Sequence, residues 1–399
     1  MKILIVCQYY YPENVVISNI ASSFAKKGHD VTVLTGKPNY GYGKILDEYK
    51  DVKFEIIDGV KVHRVNLKAR SKSRLSIIQN YLSFWRNSKR WIKKHKKEKF
   101  DIVYSMSLSP VTILAAGNLY KKYNKVPHVV HCLDLWPESV VVTHAVKRNS
   151  FIFKLLYIWS KKLYQKADKV LISSPSFEEY LRTVLKLTCP IEFVPQPSLI
   201  ETHEKEEKPS TFMNNFNIVY CGNLGEVQLI ELIPEVMNML KEYKNIKFHI
   251  IGMGPKLEYL NSKIKEYSLE DTIYYYGPMS SKNANKYLYN ADLLYVSLSK
   301  EGFVGKTIPN KLMFYLTYKK PIIGVLSGDG RDILNKVNYG FVCEENPLDI
   351  KNKIIEISTL KKEEIQCIGE CNISYYFSNF SLEIISNKVI SSFFEIINK

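Results

Sequence analysis

The chain has 399 residues, of which 46% are apolar, 13% aromatic and 24% charged; this composition excludes an intrinsically disordered chain, and the length is typical of two or three domains. No window approaches the roughly 18 uninterrupted apolar residues of a membrane-spanning helix, and the first residues lack the cleavage site of a secretory signal, so we expect a cytoplasmic protein. The formal net charge of +16 favours an anionic partner.

The first half of the chain alternates between predicted strands and predicted helices. Short β-branched runs predict strands at residues 2–7, 31–35, 60–65, 102–105, 129–132, 169–173 and 191–194. Helical patterns lie between most of them, beginning with residues 15–27, which Gly28 ends. Because parallel strands need crossover connections, we expect a parallel sheet with helices on both faces.

The excess of positive charge lies in this first half. Residues 1–200 contain 33 Lys and Arg against 15 Asp and Glu, whereas residues 201–399 contain 23 against 25. Residues 68–99 hold 12 basic residues and one acidic residue, Glu98, interleaved with Tyr, Phe and Trp. Such a stretch is typical of a surface that binds nucleic acid or phospholipid headgroups.

The second half begins after an acidic, polar segment, residues 199–215, which is typical of a domain linker. Strand patterns then return at residues 217–221, 247–251, 273–276, 293–297 and 321–325, and residues 382–398 form a terminal amphipathic helix. We therefore expect a second doubly wound unit. Since open α/β sheets bind ligands at the carboxyl ends of their strands, the cleft between the two units is the expected site.

Several site classes are disfavoured by missing motifs. The seven cysteines are scattered without a CxxC pair, which argues against a disulfide framework and a zinc site. No GxGxxG follows the first strand and no GxxxxGK[ST] occurs, so a nicotinamide enzyme and a P-loop kinase are disfavoured. The chain has no DxD pair, and we expect no metal in the site.

An ordered set of motifs carries a family resemblance. It comprises YYYPEN, GHDVTVLTGKPNYGYGK, VVHCLDLWPES, VYCGNLGEVQ, IIGMGP, YYYGPM and KTIPNKLMFYL. In this order they resemble retaining glycosyltransferase family 4, specifically the bacterial N-acetylfucosamine (L-fucosamine) transferases of capsule and O-antigen synthesis. The resemblance covers nearly the whole chain.

The resemblance implies the GT-B fold, in which two doubly wound Rossmann-like α/β domains face a cleft. Residues 1–198 would bind the acceptor, residues 199–381 would bind the nucleotide sugar, and the C-terminal helix, residues 382–399, would cross back to the first domain. The implied activity is hexosyl transfer, with N-acetyl-L-fucosamine as the sugar, from a UDP donor to an undecaprenyl-linked saccharide. Such an enzyme works without a metal cofactor on the inner face of the cell membrane, and residues 68–99 would meet that anionic surface.

Two other functions remain open. A sugar-nucleotide epimerase of the same fold would need no lipid surface, so the basic first half disfavours it. A nucleic-acid-binding protein would leave the ordered cleft motifs unexplained, and we expect no nucleic acid as a partner.

On the acceptor side, the resemblance points to two short segments. Glu13 and Asn14 would make polar contacts near the point of sugar transfer; the alternative is a βα turn in which Asn14 caps the next helix. His131 and Asp134 follow an apolar strand at the edge where chemistry is expected, and they would contact the sugar and the acceptor. The alternative for His131 is a buried structural histidine.

On the donor side, turns after three strands would contact the nucleotide through backbone N–H groups, or else serve only as turns. The residues in these turns are Gly222, Asn223, Gly225, Gly252, Gly254, Gly277 and Pro278. The family often has a basic residue in the first turn, where this chain has Glu226 and Gln228.

The segment after residue 297 carries the remaining site residues. Glu301 would hold sugar hydroxyls, and Phe314 lies where the family has the glutamate that binds the ribose. Pro309 and Asn310 begin a predicted helix in which Lys311 would neutralise the diphosphate. The alternative for Lys311 is a solvated surface lysine.

Overall fold

The computed structural model describes residues 1–71, 73–142, 146–337 and 341–398. They divide into two compact units. Unit 1 comprises Met1–Leu199 and the residues from Leu382 onward, and unit 2 comprises Ile200–Ser381. Each unit has an α/β architecture built around its own sheet.

Unit 1 has a largely parallel sheet. Its strands are β1 (Lys2–Val6), β2 (Asp30–Gly36), β3 (Phe54–Ile57), β4 (Val60–Val65), β5 (Ile102–Ser107), β6 (His128–Cys132), β7 (Lys169–Ile172) and β8 (Ile191–Phe193). Its first helices are α1 (Ile17–Lys26), α2 (Arg74–Lys94), α3 (Leu114–Asn124), α4 (Glu138–Val142), α5 (Phe151–Tyr164) and α6 (Phe177–Thr183). The spatial order is β3-β4-β2-β1-β5-β6-β7-β8. The central strands are covered on both faces, which explains their continuous apolar runs.

Strand β3 is absent from the predicted elements, and it is antiparallel to β4. Asp58 and Gly59 join the two strands with positive φ angles of 48° and 79°. An Asp-Gly pair between two extended runs is the preferred sequence for a two-residue hairpin turn. The signal for β3 was therefore present in the sequence.

Unit 2 has an entirely parallel sheet. Its strands are β9 (Phe216–Cys221), β10 (Ile246–Ile251), β11 (Ile273–Tyr275), β12 (Leu293–Ser297), β13 (Ile322–Val325) and β14 (Phe341–Cys343), in the spatial order β11-β10-β9-β12-β13-β14. Its helices are α7 (Leu232–Met239), α8 (Leu257–Glu266), α9 (Ser281–Asn290), α10 (Asn310–Tyr315), α11 (Gly328–Lys336), α12 (Pro347–Ser358) and α13 (Lys362–Asn379). The short strand β14 was not predicted from the sequence.

The strand orders identify where each unit can bind a ligand. In unit 1 the order reverses between β1 and β5, and in unit 2 it reverses between β9 and β12. At such a switch point the loops after the two strands separate and leave a crevice at the carboxyl edge of the sheet. The loops after β1 and β9 therefore begin the two candidate sites.

The last helix, α14 (Leu382–Ile397), belongs to unit 1. Its buried stripe of Ile385, Val389 and Phe393 follows the spacing of an amphipathic helix. The ring of Phe393 lies 5.9 Å from that of Phe24 on α1. Lys169 Nζ forms an ion pair with Glu395 at 2.6 Å, so both apolar packing and a charge pair attach the chain terminus to unit 1.

Candidate active site

Three loops of unit 2 are hydrogen-bonded in series at the carboxyl edge of its sheet. The N–H of Gly222, after β9, donates to Ile251 O at 2.9 Å, and the N–H of Gly252, after β10, donates to Gly277 O at 2.9 Å. The N–H of Leu224 donates to Met253 O, also at 2.9 Å. The predicted donor turns are therefore adjacent in space.

Glycine is required at two of these turns because their backbones approach closely. A Cβ atom on Gly252 would lie 1.8 Å from Gly222 O, and Gly252 has a φ of +142°. A Cβ atom on Gly254 would lie 2.3 Å from Leu224 O. These glycines thus have a demonstrated structural role, and direct contact of Asn223, Gly225, Gly277 or Pro278 with a nucleotide stays a prediction.

Lys311 lies against the first of these turns. A Cβ atom on Gly222 would lie 2.6 Å from Lys311 Cε and 2.9 Å from Lys311 Nζ, so a larger residue at 222 would require the end of this side chain to move. The ammonium nitrogen is 3.5 Å from the centroid of the Tyr220 ring. It is buried, and it has no hydrogen-bond partner among the residues that the structure describes.

This arrangement has a clear electrostatic consequence. Burial lowers the pKa of Lys311 to about 7, because the charged form loses its hydration. The face of the Tyr220 ring attracts the ammonium, but this attraction replaces only part of the stabilisation that water or an anion would give. Among the described residues the buried ammonium has no counter-ion, so the surface-lysine alternative for Lys311 does not fit, and its contact with a diphosphate stays a prediction.

Helix α10 holds Lys311 in place. Pro309 precedes its first residue, Asn310, so Lys311 lies in the first turn as predicted. Tyr315, one turn later, accepts a hydrogen bond from the backbone N–H of Cys221 at 2.8 Å. Because Cys221 ends β9 and directly precedes Gly222, this bond connects the helix to the glycine turn.

The two glutamates near this turn have different environments. Glu301 follows β12 and is exposed, in a loop closed by a bond from Gly305 N–H to Glu301 O at 3.3 Å. Its predicted contact with sugar hydroxyls stays a prediction. Glu226, which stands where the family often has a basic residue, forms an ion pair with Lys256 at 3.0 Å. Its negative charge is therefore balanced.

Phe314 packs within unit 2. Its ring lies 5.1 Å from that of Tyr318 and 5.8 Å from that of His203, and these two rings stack at 3.6 Å. Burial lowers the pKa of His203 to about 4, so this aromatic cluster is neutral at pH 7. The cluster contains no carboxylate that would replace the family glutamate.

His131 is fully buried on β6. Its Nδ1 is 2.6 Å from Tyr104 Oη, and its Nε2 is 2.7 Å from Val194 O. Burial lowers its pKa to about 4, so the ring is neutral at pH 7. Since both ring nitrogens already have partners within unit 1, this geometry matches the buried structural histidine, and contact of His131 with a substrate stays a prediction that the observed bonds do not support.

Asp134 lies just beyond β6, at the carboxyl edge of the sheet, and is half-buried. Burial raises the pKa of its carboxyl group. No ion pair to Asp134 is found among the described residues. Unlike His131, it presents a titratable group at the edge where a ligand is expected.

Glu13 and Asn14 differ from each other in exposure. Glu13 is buried, and its carboxylate accepts backbone hydrogen bonds from Asn39 at 2.8 Å and Tyr40 at 2.6 Å, so it connects the loops after β1 and β2. Asn14 is exposed. The helix-cap alternative for Asn14 is wrong, because α1 is preceded by Val16 and has no side-chain cap.

The sequence interpretation missed Tyr220. It forms the surface on which Lys311 lies, and its hydroxyl donates to Asn223 O at 2.6 Å, which supports the glycine turn. Within an apolar strand, a tyrosine gives no sign that its ring will face a lysine 91 residues later in the chain.

Comparison with known proteins supports the same architecture. Residues 13–195 match the family described as "Glycosyl transferase 4-like domain", and residues 201–370 match "Glycosyl transferases group 1". A relative from Pseudomonas aeruginosa, named "Probable glycosyltransferase WbjE", is 24% identical over 301 residues, which cover 70% of this chain and 71% of that protein.

Solved structures with low sequence identity share the fold across the full chain. Sucrose-phosphate synthase from Thermosynechococcus elongatus has a TM-score of 0.72 at 15% identity, with 100% of this chain and 99% of that chain covered. The Anabaena protein HepE, solved in complex with UDP and glucose, has a TM-score of 0.66 at 13% identity, with 98% and 99% covered.

The two family matches together span both doubly wound units, and the predicted fold class is confirmed. The chain is a glycosyltransferase of the GT-B fold, in which a glycosyl transferase 4-like domain precedes a glycosyl transferases group 1 domain.

Proposed function

We propose that this glycosyltransferase moves a hexosyl group from a UDP-sugar, with retention of configuration and without a metal, to an undecaprenyl-linked saccharide of capsule or O-antigen synthesis. N-acetyl-L-fucosamine is the proposed sugar. The observation that carries the proposal is the buried ammonium of Lys311 beside the Gly222 turn, for which no hydrogen-bond partner is found in the described ranges.

A diphosphate suits this position for two reasons. It supplies the negative charge that the buried ammonium lacks, and charge-assisted hydrogen bonds are about twice as strong as neutral ones. HepE, which shares the fold, has been solved with UDP and with UDP-glucose. The chain has no DxD pair to hold a metal, so Lys311 and backbone N–H groups would neutralise the departing UDP.

The remaining groups would position the reactants. We assign Glu301 to the sugar hydroxyls and Asp134 to the acceptor hydroxyl or the sugar. The raised pKa of Asp134 lets this group exchange a proton closer to neutral pH than an exposed aspartate would. His131 would act through Tyr104 and Val194, as a positioning residue of the sheet edge.

The experiment is a turnover assay with a panel of UDP-sugars and a polyprenyl diphosphate-linked monosaccharide as acceptor. We expect one UDP-sugar to yield an extended lipid-linked glycan and free UDP, and the rate to be unchanged by EDTA, since no metal takes part. Isomerisation of a UDP-sugar without acceptor would favour the epimerase instead. Strict dependence on Mg²⁺ or Mn²⁺ would contradict the metal-free mechanism.

We further propose that unit 1 docks on an anionic bilayer. No helix in the described ranges is long and apolar enough to cross a membrane. Instead, α2 and α5 expose a set of large apolar side chains, which we call the docking surface: Leu75, Ile78, Leu82, Phe151, Ile152, Leu155 and Ile158. Trp85 on α2 and Trp159 on α5 have their rings 5.8 Å apart and thus connect the two helices.

The charge around the docking surface supports a lipid partner. Phe151 is 74% exposed and Leu75 is 65% exposed, values that favour insertion into an interface. Exposed lysines follow at the end of α2, including Lys93, Lys94, Lys96 and Lys97. Trp91 packs within unit 1, where it stacks on His95 at 4.0 Å and lies beside His63.

Liposome co-sedimentation tests the docking. Each lysine near an anionic leaflet contributes about 1 kcal/mol, so replacing Lys93, Lys94, Lys96 and Lys97 with glutamine should release most of the protein from anionic vesicles at low salt. The double variant Phe151→Ser and Leu155→Ser should weaken the binding that remains at high salt. Salt screens the lysine contacts, so the remaining binding depends on apolar side chains. Leu348→Ser, at a 51%-exposed leucine of unit 2, is the matched control. Equal binding to neutral vesicles, or no loss in either variant, would contradict the proposal.

A further inference from the structure

Arg70 lies in a group of three tyrosines near the carboxyl ends of β1 and β2. Its guanidinium carbon is 5.1 Å from the centroid of the Tyr40 ring and 5.6 Å from that of Tyr81. Its Nη1 donates to Tyr9 Oη at 3.3 Å and to Tyr81 Oη at 3.1 Å. We call Tyr9, Tyr40 and Tyr81 the tyrosine box.

A buried amide network fixes the position of Arg70. The backbone N–H of Arg70 donates to Asn39 Oδ1 at 3.0 Å, and Asn80 Nδ2 donates to the same oxygen at 3.0 Å. Gln8 Nε2 donates to Asn80 Oδ1 at 2.6 Å.

The guanidinium of Arg70 is half-buried, but no carboxylate within ion-pair distance is found for it in the described part of the chain. Arg64, a buried arginine of the same unit, forms an ion pair with Glu55. The tyrosines contact Arg70 through their rings, and two of their hydroxyl groups accept hydrogen bonds from Nη1. Among the described residues no partner is found for the N–H groups of Nε and Nη2, which form the planar edge that binds a phosphate through two hydrogen bonds.

We propose that Arg70 and the tyrosine box bind a phosphate group of the acceptor. This deepens the proposed function and rests on it. The docking surface begins five residues after Arg70, with Leu75 on the first turn of α2. An amphiphile with its phosphate at Arg70 would therefore have exposed apolar side chains beside its hydrocarbon chain. The chemistry at Arg70 is that of a phosphate ester, and the adjacent apolar surface favours a lipid phosphate over free phosphate.

The test is calorimetric titration of the full chain in the Lys311→Met background, which removes the donor-side cation. The probes are farnesyl diphosphate below its aggregation concentration, inorganic diphosphate, and farnesol. We expect farnesyl diphosphate to bind, and Arg70→Gln to weaken it about tenfold or more through loss of a charge-assisted contact. Arg70→Lys should give an intermediate loss, because it keeps the charge without the planar edge.

Arg74→Gln is the matched control, since Arg74 is an exposed arginine at the start of the same helix. It should change the affinity less than twofold. Equal affinities in the Arg70 and Arg74 variants would overturn the proposal, as would farnesol binding as tightly as farnesyl diphosphate. Inorganic diphosphate binding as tightly would overturn the lipid part and identify free phosphate as the ligand. UDP affinity, measured separately on the chain with Lys311 intact, tests the proposed function independently of these outcomes.

Discussion

Replacing Lys311 with methionine is expected to make the ligand-free protein more stable and its binding of UDP weaker. The ammonium is buried, no described residue supplies a counter-ion, and its pKa is lowered to about 7. Each unit of pKa shift corresponds to about 1.4 kcal/mol, so the neutral variant should gain of order 2 to 4 kcal/mol in the free energy of unfolding. Loss of the charge-assisted contact should cost about 1.5 to 3 kcal/mol of UDP binding.

The difference in stability between wild type and Lys311→Met should depend on pH in a defined direction. In the unfolded chain Lys311 stays protonated up to about pH 10, whereas in the folded protein it loses its proton near pH 7. Wild-type stability should therefore rise with pH between these two values relative to the variant. The advantage of Lys311→Met should be complete below pH 7 and should shrink as the pH approaches 10.

Urea unfolding from pH 6 to pH 9, together with calorimetry of UDP binding, measures both effects. Lys282→Met is the matched control, because Lys282 is an exposed lysine on α9 of the same unit. It should change neither quantity appreciably. A Lys311 variant that is less stable than wild type, or that binds UDP equally well, would show that the ammonium is not held for an anion.

Replacing Gly252 with alanine should disrupt the donor loops more than any other single methyl group added there. Its Cβ would lie 1.8 Å from Gly222 O, which is a backbone atom that no rotamer change can move away. The backbone N–H of Gly252 also bonds Gly277 O at 2.9 Å, so a shift of this residue displaces both neighbouring turns. We expect the free energy of unfolding to fall by about 3 to 5 kcal/mol and UDP binding to be lost with the shape of the Gly222 turn.

Gly277→Ala separates the steric effect from backbone strain. Gly277 also has a positive φ, +76°, but nothing lies within 4 Å of an added Cβ. The strain of an alanine at positive φ alone costs about 1 to 2 kcal/mol. Urea unfolding of both variants should therefore rank Gly252→Ala well below Gly277→Ala. Equal losses would mean that the loop contact contributes nothing beyond the backbone conformation.

Repeating patterns in the sequence determined the fold class. The predicted strand at residues 293–297 coincides with β12, and most other predicted strands agree with the structure to within two residues, because a strand buried on both faces needs a continuous run of apolar side chains. Two edge strands were missed: β3 has no fully buried residue, and β14 has only three residues. The motifs also correctly predicted a glycosyltransferase.

The sequence also selected the residue on which the proposed function depends. Lys311 was identified from its place at a helix start after a proline, and the structure buries its ammonium at the Gly222 turn. The surroundings of this ammonium depend on tertiary structure. Tyr220 and Gly222, which precede it by about 90 residues, determine its surroundings. The position of a residue within a helix follows from its neighbours in the sequence, whereas the contacts of its side chain depend on distant segments.

Only the tertiary structure determined which groups His131 and Arg70 contact. His131 has the sequence context of a residue at a strand edge, but Tyr104 and Val194, brought together by the sheet, occupy both of its nitrogens. Arg70 is one of many basic residues in its stretch, but folding places it among three tyrosines, and no carboxylate pairs with it in the part of the chain that the structure describes. Sequence periodicity reports whether a residue faces the core or the solvent. Which polar groups it meets depends on distant segments that only folding brings within hydrogen-bonding distance.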